Sequence, residues 1–152
     1  MSAPEGIHRC WAEIDLMALR HNAAVAKQRS GTAIMAVVKA NAYGHGATEA
    51  ASALKDDAAL FGVANLREAE ELRAHGVSVP VLLLGPCLPT EEELAIKAGF
   101  HLCVSSLEEA AALNAVAVRL GKKADVHLVL DTGMGRMGFT ERDWTDDHLR
   151  AL

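Results

Sequence analysis

The chain has 152 residues, 51 % of them hydrophobic, and its 20 acidic side chains against 15 basic ones leave a net charge of −5. That balance fits a soluble globular chain with a buried core and excludes wholesale disorder. It also argues against a general nucleic-acid binder, which needs clustered Lys and Arg; Lys122-Lys123 is the only adjacent basic pair.

At the N-terminus, Glu5 and Asp15 flank no apolar core, so no signal peptide is predicted. Arg9–Leu16 (RCWAEIDL) alternates apolar and polar residues, the pattern of a half-exposed strand, and a helix is expected over Asp15–Lys27. Ala33–Lys39 (AIMAVVK) is an almost unbroken apolar run, as expected of a strand buried on both faces. The same pattern returns at Leu60–Ala64, Val79–Leu84, Phe100–Val104 and Val126–Leu130. Between these runs lie Ala-, Leu- and Glu-rich segments, predicting helices over 47–57, 66–75, 91–98 and 106–120.

Asn65-x-x-Glu68, Thr90-x-x-Glu93 and Ser105-x-x-Glu108 match capping boxes, and Gly76, Gly99 and Gly121 stand where the helices should stop. Caps and stops in phase with apolar strands predict parallel strands joined by right-handed crossovers. Two architectures share this rhythm, the α/β barrel and the doubly wound sheet. Five strands fall short of the eight that close a barrel. The chain also ends inside a predicted helix, Thr145–Leu152, so it is expected to be the first part of a longer protein.

The apolar stretch Val77–Leu88, broken by Ser78, Pro80, Gly85 and Pro86, is too short to span a bilayer. Cys10, Cys87 and Cys103 are odd in number and lack CxxC spacing, which predicts buried free thiols in a reducing cytoplasm and no metal site.

Both architectures carry function at the carboxyl ends of their strands. Lys39 stands at such an end. Read alone it is a lysine that snorkels to solvent, although burial there would favour the neutral, nucleophilic amine that forms Schiff bases. The loop Ala40–Gly46 changes that weighing, because it adds Tyr43, His45 and two glycines beside the same strand end. His45 is expected to hold the turn, and Tyr43 can donate to a phosphate oxygen. After the fifth strand, Asp131–Gly138 (DTGMGRMG) presents Arg136 on a glycine-rich loop that is neither a P-loop nor GxGxxG. Arg136 suits an anionic oxygen or a surface pairing with Glu141, and Asp131 is expected to organise the turn.

The segments HRCWAEIDL (His8–Leu16), AVVKANAYGHG (Ala36–Gly46) and DTGMGRMG, in this order, closely resemble bacterial alanine racemase. The resemblance implies a (β/α)8 TIM-type barrel that binds pyridoxal 5′-phosphate (PLP), here truncated to about five strands. Residues 1–30 would form an N-terminal strand and helix, the strand associating with a C-terminal β domain, and 31–152 the first part of the barrel. Lys39 matches the lysine that holds PLP as a Schiff base and then serves as one of two acid/base groups at the substrate α-carbon. Tyr43 matches the phosphate contact, Leu84 an apolar neighbour of the cofactor, and Arg136 the arginine beside the PLP phenolic oxygen and the substrate carboxylate. Met134 matches a backbone contact to that carboxylate.

The implied reaction interconverts L- and D-alanine in a cytoplasmic homodimer, supplying D-alanine for the cell wall, with no membrane or nucleic-acid partner. A broader amino-acid racemase and a non-catalytic PLP carrier are the alternatives. The second base and the arginine at the pyridine nitrogen have no counterpart in these 152 residues, in which Tyr43 is the single tyrosine. One departure stands out: Val129 occupies the position where many members carry a carbamylated lysine that orients the arginine. Arg136 must then take another anion or be held less firmly.

Overall fold

The computed structural model describes residues 10–143. Asp15 opens α1 (Leu16–Ser30), its carboxylate accepting from the Met17 and Ala18 amides at 2.9 and 3.0 Å. Next come β1 (Met35–Val37), the short α2 (Lys39–Tyr43) and α3 (Ala47–Leu54). Strand and helix then alternate as β2 (Leu60–Val63), α4 (Leu66–Ala74), β3 (Val81–Leu83), α5 (Glu92–Ala98), β4 (His101–Val104), α6 (Leu107–Leu120) and β5 (Val126–Leu128). All five predicted strands are present, trimmed at their ends, but β1 and β5 are not buried on both faces as expected: they are the edges of the sheet and their residues are exposed or half-exposed. The predicted helix over 145–152 lies outside the described residues.

The strands form one parallel sheet in the order β1-β2-β3-β4-β5. Paired residues include Ala36 with Phe61, Phe61 with Val81, Leu83 with Leu102, and Leu102 with Val126. This order decides between the two architectures. A doubly wound sheet reverses direction at a switch point, whereas a barrel adds each strand to the same side of the last.

Burial agrees. Alternate strand residues Phe61, Val63, Val81, Leu83, Leu102 and Val104 join helix residues Ala51, Leu54, Leu72, Ile96 and Leu113 in one core. Successive strand side chains point to opposite faces. Gly62, Leu82, His101, Cys103 and His127 therefore share the face turned away from the helices, where His101 Nδ1 and His127 Nε2 lie 3.1 Å apart.

Several local expectations are corrected. Of the strand expected over Arg9–Leu16, Arg9 lies outside the described residues, residues 10–15 pair with none of the five strands and form no strand, and Leu16 already begins α1. Asn65 caps α4 as expected, accepting from the Glu68 amide at 3.1 Å. At α6 the box is shifted by one residue: Ser106 is the cap and accepts from the Glu109 amide. Thr90 caps nothing. The chain turns there through Leu88, whose carbonyl accepts from the Glu91 and Glu92 amides, and α5 starts after Glu91 without a side-chain cap. Of the three free thiols only Cys103 is buried, and Cys10 is exposed. Cys87 is half-covered, and burial first, then Glu91 and Glu92, pushes its thiol up to about 11. Among the described residues no helix is long and apolar enough to cross a membrane.

Phe61 is fully buried at the centre of the helix-facing layer. Phe61→Ala is expected to cost about 3–5 kcal/mol, read from the urea unfolding midpoint. A loss no larger than the roughly 0.5 kcal/mol typical of surface substitutions would refute that layer as the stabilising core.

Candidate active site

Lys39 stands at the carboxyl end of the sheet, half-exposed, directly after Val38, which is 3 % exposed in the core. The chain beyond it does something uncommon. Ala40, Asn41, Ala42 and Tyr43 all have φ between 50° and 55°, a left-handed turn built without glycine. Left-handed geometry sets Cβ against the next carbonyl and costs roughly 1–2 kcal/mol per residue, so its surroundings must hold it.

Those holds are visible. The Val38 amide donates to Gly62 O at 2.9 Å, tying the turn's start to β2, and the Ala42 amide donates back to Val38 O at 2.8 Å. Asn41 O accepts from the Gly44 and Gly46 amides, while Asn41 Oδ1 accepts from the Ala47 amide at 2.8 Å and so fastens the start of α3. His45 Nδ1 donates to Ala42 O at 2.8 Å, which makes His45 the turn-holding residue expected of it. From outside the loop, Glu68 Oε1 accepts from the Ala40 amide at 3.0 Å. Tyr43 ends the turn with its side chain 62 % exposed.

Leu84 follows β3, its amide donating to Val63 O at 2.8 Å. Its Cδ1 lies 3.0 Å from where a Cβ on Gly62 would stand, and Val37 Cγ2 lies 3.5 Å from the same point. Glycine at 62 thus lets two aliphatic side chains close over the sheet beside the Lys39 strand end.

The second cluster follows β5. Asp131 Oδ1 accepts from the Gly133 and Gly135 amides at 2.9 and 3.0 Å, an arrangement that organises the turn. The Asp131 amide donates to Phe139 O and the Phe139 amide to Val129 O, both at 2.8 Å, cinching the loop at its base. Gly138 sits at that base with φ 119°, and a Cβ there would stand 2.8 Å from Asp131 N and 2.9 Å from Val129 O. Only glycine fits. Arg136 and Met134 ride on the loop's exposed outer part, Met134 at 76 %. Among the described residues Arg136 makes no ion pair, with Glu141 or any other carboxylate. Val129, half-covered, offers it no charge.

The structure therefore brings Lys39 and Tyr43 to the end of β1 and Leu84 to the end of β3, with β2 between them, and sets Met134 and Arg136 at the same end of the sheet. β1 and β5 are its opposite edges, four strand intervals or roughly 19 Å apart along the sheet, a span that barrel curvature shortens. Glu68 was missed as part of this region. Its place in a capping box signalled only a bond within its own helix.

Residues 14–152 match the family described as alanine racemase, N-terminal domain. An alanine racemase from Symbiobacterium thermophilum is 44 % identical over 136 residues, which is 88 % of this chain and 36 % of that protein. Among solved structures, an alanine racemase from Clostridium difficile 630 superposes with a TM-score of 0.84 at 38 % identity, covering 93 % of this chain and 37 % of that one. A histidine racemase from Leuconostoc mesenteroides subsp. sake gives a TM-score of 0.81 at 34 % identity over 90 % of this chain and 37 % of that one. The chain spans little more than a third of the length of these relatives.

The Asp131 turn titrates with a defined sign. The Gly135 and then the Gly133 amides hold its carboxylate below the ordinary 3.8, so the folded form releases its proton more readily than the unfolded chain. The stabilisation is present above the ordinary value and is lost as pH falls through the lower, folded one. Amide shifts of Gly133 and Gly135 are expected to titrate together with a midpoint below 3.8. A midpoint at or above that value would dissolve the assignment.

Proposed function

Since this chain belongs to the alanine racemase N-terminal domain family, we propose that it supplies the cofactor-holding part of a PLP-dependent racemase acting on alanine. The observation that carries this reading is the placement of Lys39: an amine directly after the buried Val38 at the carboxyl end of a parallel strand, next to a fixed turn that ends in Tyr43. The donor set fits PLP. Lys39 is half-exposed with no ion pair among the described residues, the Tyr43 phenol is open to a phosphate, and Leu84 with Val37 gives an apolar wall.

In this reading Lys39 holds the cofactor covalently through Nζ, Tyr43 Oη donates to a phosphate oxygen, and Leu84 packs against the ring. When bound, PLP supplies the electron sink that accommodates the charge left at the substrate α-carbon as its proton departs. Once the substrate amine has displaced it from the cofactor, the free Lys39 Nζ would take or return that proton on one face. Arg136 orients the substrate carboxylate together with the Met134 backbone. Racemisation also requires a base on the opposite face; the family resemblance implies a tyrosine from the C-terminal domain of a second subunit there, and Tyr43, the single tyrosine of this sequence, is assigned to the phosphate. Residues 1–30 would be the segment that joins a C-terminal β domain, and 31–152 the first part of the barrel. The setting we propose is a cytoplasmic homodimer that furnishes D-alanine for peptidoglycan.

A wider substrate range is the second reading. It is favoured by the histidine racemase among the structural relatives, which places another amino acid on a similar fold. A carrier that binds PLP without racemising anything is the third, and it differs in outcome rather than in binding.

The test is chemical. The full-length protein with PLP is reduced with borohydride and the phosphopyridoxyl adduct located by peptide mass. The adduct is expected on Lys39, with alanine racemisation in the unreduced protein and neither in Lys39→Ala. A folded protein without an adduct at Lys39 would defeat the whole reading. An adduct without racemisation of any amino acid would leave the carrier.

A further inference from the structure

We propose that Glu68 is a positioning residue for Lys39: its carboxylate clamps two consecutive strand-end loops and so holds the left-handed turn in place. The inference rests on Lys39 being the cofactor-bearing amine. It concerns a residue on a different βα unit, four positions into the α4 segment counted from its cap Asn65.

The geometry is specific. Glu68 Oε1 accepts from the Ala40 amide at 3.0 Å, and Oε2 accepts from the Ala64 amide at 2.7 Å. Ala40 is the residue after Lys39; Ala64 is the residue after β2 ends at Val63. One carboxylate thus ties the exit of β1 to the exit of β2, with both oxygens used and both bonds charge-assisted. Lys39 is held from two sides: the Val38 amide is bonded to Gly62 O in the sheet, and the Ala40 amide to Glu68. The other side-chain holds on the turn, from Asn41 and His45, come from the loop itself.

The chain contains its own comparison. Glu109 holds the corresponding place in α6, three residues after the cap Ser106, and it too reaches back to a strand exit. Its Oε2 accepts from the Ser105 amide at 2.7 Å and from Ser105 Oγ at 2.8 Å, both within its own βα unit. Glu109 is a strut that stiffens one loop. Glu68 differs in crossing to the neighbouring loop, and that loop is the one with Lys39 and four non-glycine residues at positive φ.

The experiment compares Glu68→Gln with Glu109→Gln in the full-length protein. Glutamine keeps the volume but can accept with only one of its two terminal atoms, so each variant opens half of its strut. Two properties are read. Amide hydrogen exchange over residues 38–46 is followed in protein stripped of cofactor, and the rate of phosphopyridoxyl capture at Lys39 after PLP addition is followed by borohydride quench and peptide mass. Glu68→Gln is expected to speed exchange and slow capture by roughly tenfold each, and Glu109→Gln to leave both near wild type even where it lowers the melting temperature as much. Should Glu68→Gln not accumulate as folded protein, Glu68→Asp, one methylene short, is read against the same control with the same sign expected.

Equal effects of the Glu68 and Glu109 variants would overturn the proposal and reduce Glu68 to a helix cap. Wild-type exchange and capture in Glu68→Gln would do the same. If the unmutated protein takes no PLP at Lys39, the functional reading fails by itself, and the exchange comparison still decides whether Glu68 clamps the turn.

Discussion

A parallel strand has two faces of side chains, and here the helices cover only one. The layer of Phe61, Val63, Val81, Leu83, Leu102 and Val104 beneath the helices is the contact on which the rest depends. It sets the strand register, because a slip of one residue would exchange every buried side chain for its opposite-facing neighbour. It thereby also sets which end of each strand meets which loop. Lys39, Leu84 and the loop of Asp131 reach a common end of the sheet only because their strands are held in that register.

That layer brings Lys39 to the right place but leaves its backbone direction open. Direction comes from the left-handed turn, and the turn persists because bonds from Asn41, His45 and Glu68 over-determine it. The loop after β5 solves a similar problem by a different route, using glycines and the Asp131 carboxylate in place of alanines under constraint. One edge of the site is therefore held by hydrogen bonds against an unfavourable backbone, the other by residues to which that backbone is nearly free.

What could be read from the chain, and what could not, divides along physical lines. Apolar runs located all five strands, but burial on both faces holds only for β2, β3 and β4; β1 and β5, the edges of the sheet, are exposed or half-exposed. Strand order was not legible: the alternation suited two architectures until the ladder showed that no strand switches sides. Cap positions were legible to within a residue at Ser105–Ser106 and failed at Thr90, where the turn through Leu88 sets the start of α5. The alternation at Arg9–Leu16 was real, but alternation gives a strand no partner. The left-handed turn escaped entirely, since Ala40, Ala42 and Tyr43 carry no preference for it, and Asn41 with two glycines suggested only a turn of some kind. Glu68 escaped for a related reason: its bond to Ala40 joins two units, and local patterns do not see across units. The roles proposed for Lys39, Tyr43, Leu84, Met134 and Arg136 rest on motif resemblance, and the fold adds that these residues share one end of the sheet.

The strictly sequential strand order has a further meaning for how such a sheet is born on the ribosome. Every pairing joins strands whose partners are only some twenty residues apart, so each loop to be closed is short. As the chain emerges, β2 can dock on β1 once α3 is out, and β3 on β2, with no strand obliged to wait for a distant partner. The nascent sheet always offers one open edge at its newest strand, and that edge is the template the next unit needs. The same edge is also the surface on which a stalled or crowded chain would pair wrongly. Chaperone demand should therefore follow translation pauses between strands more closely than the overall hydrophobicity of the chain.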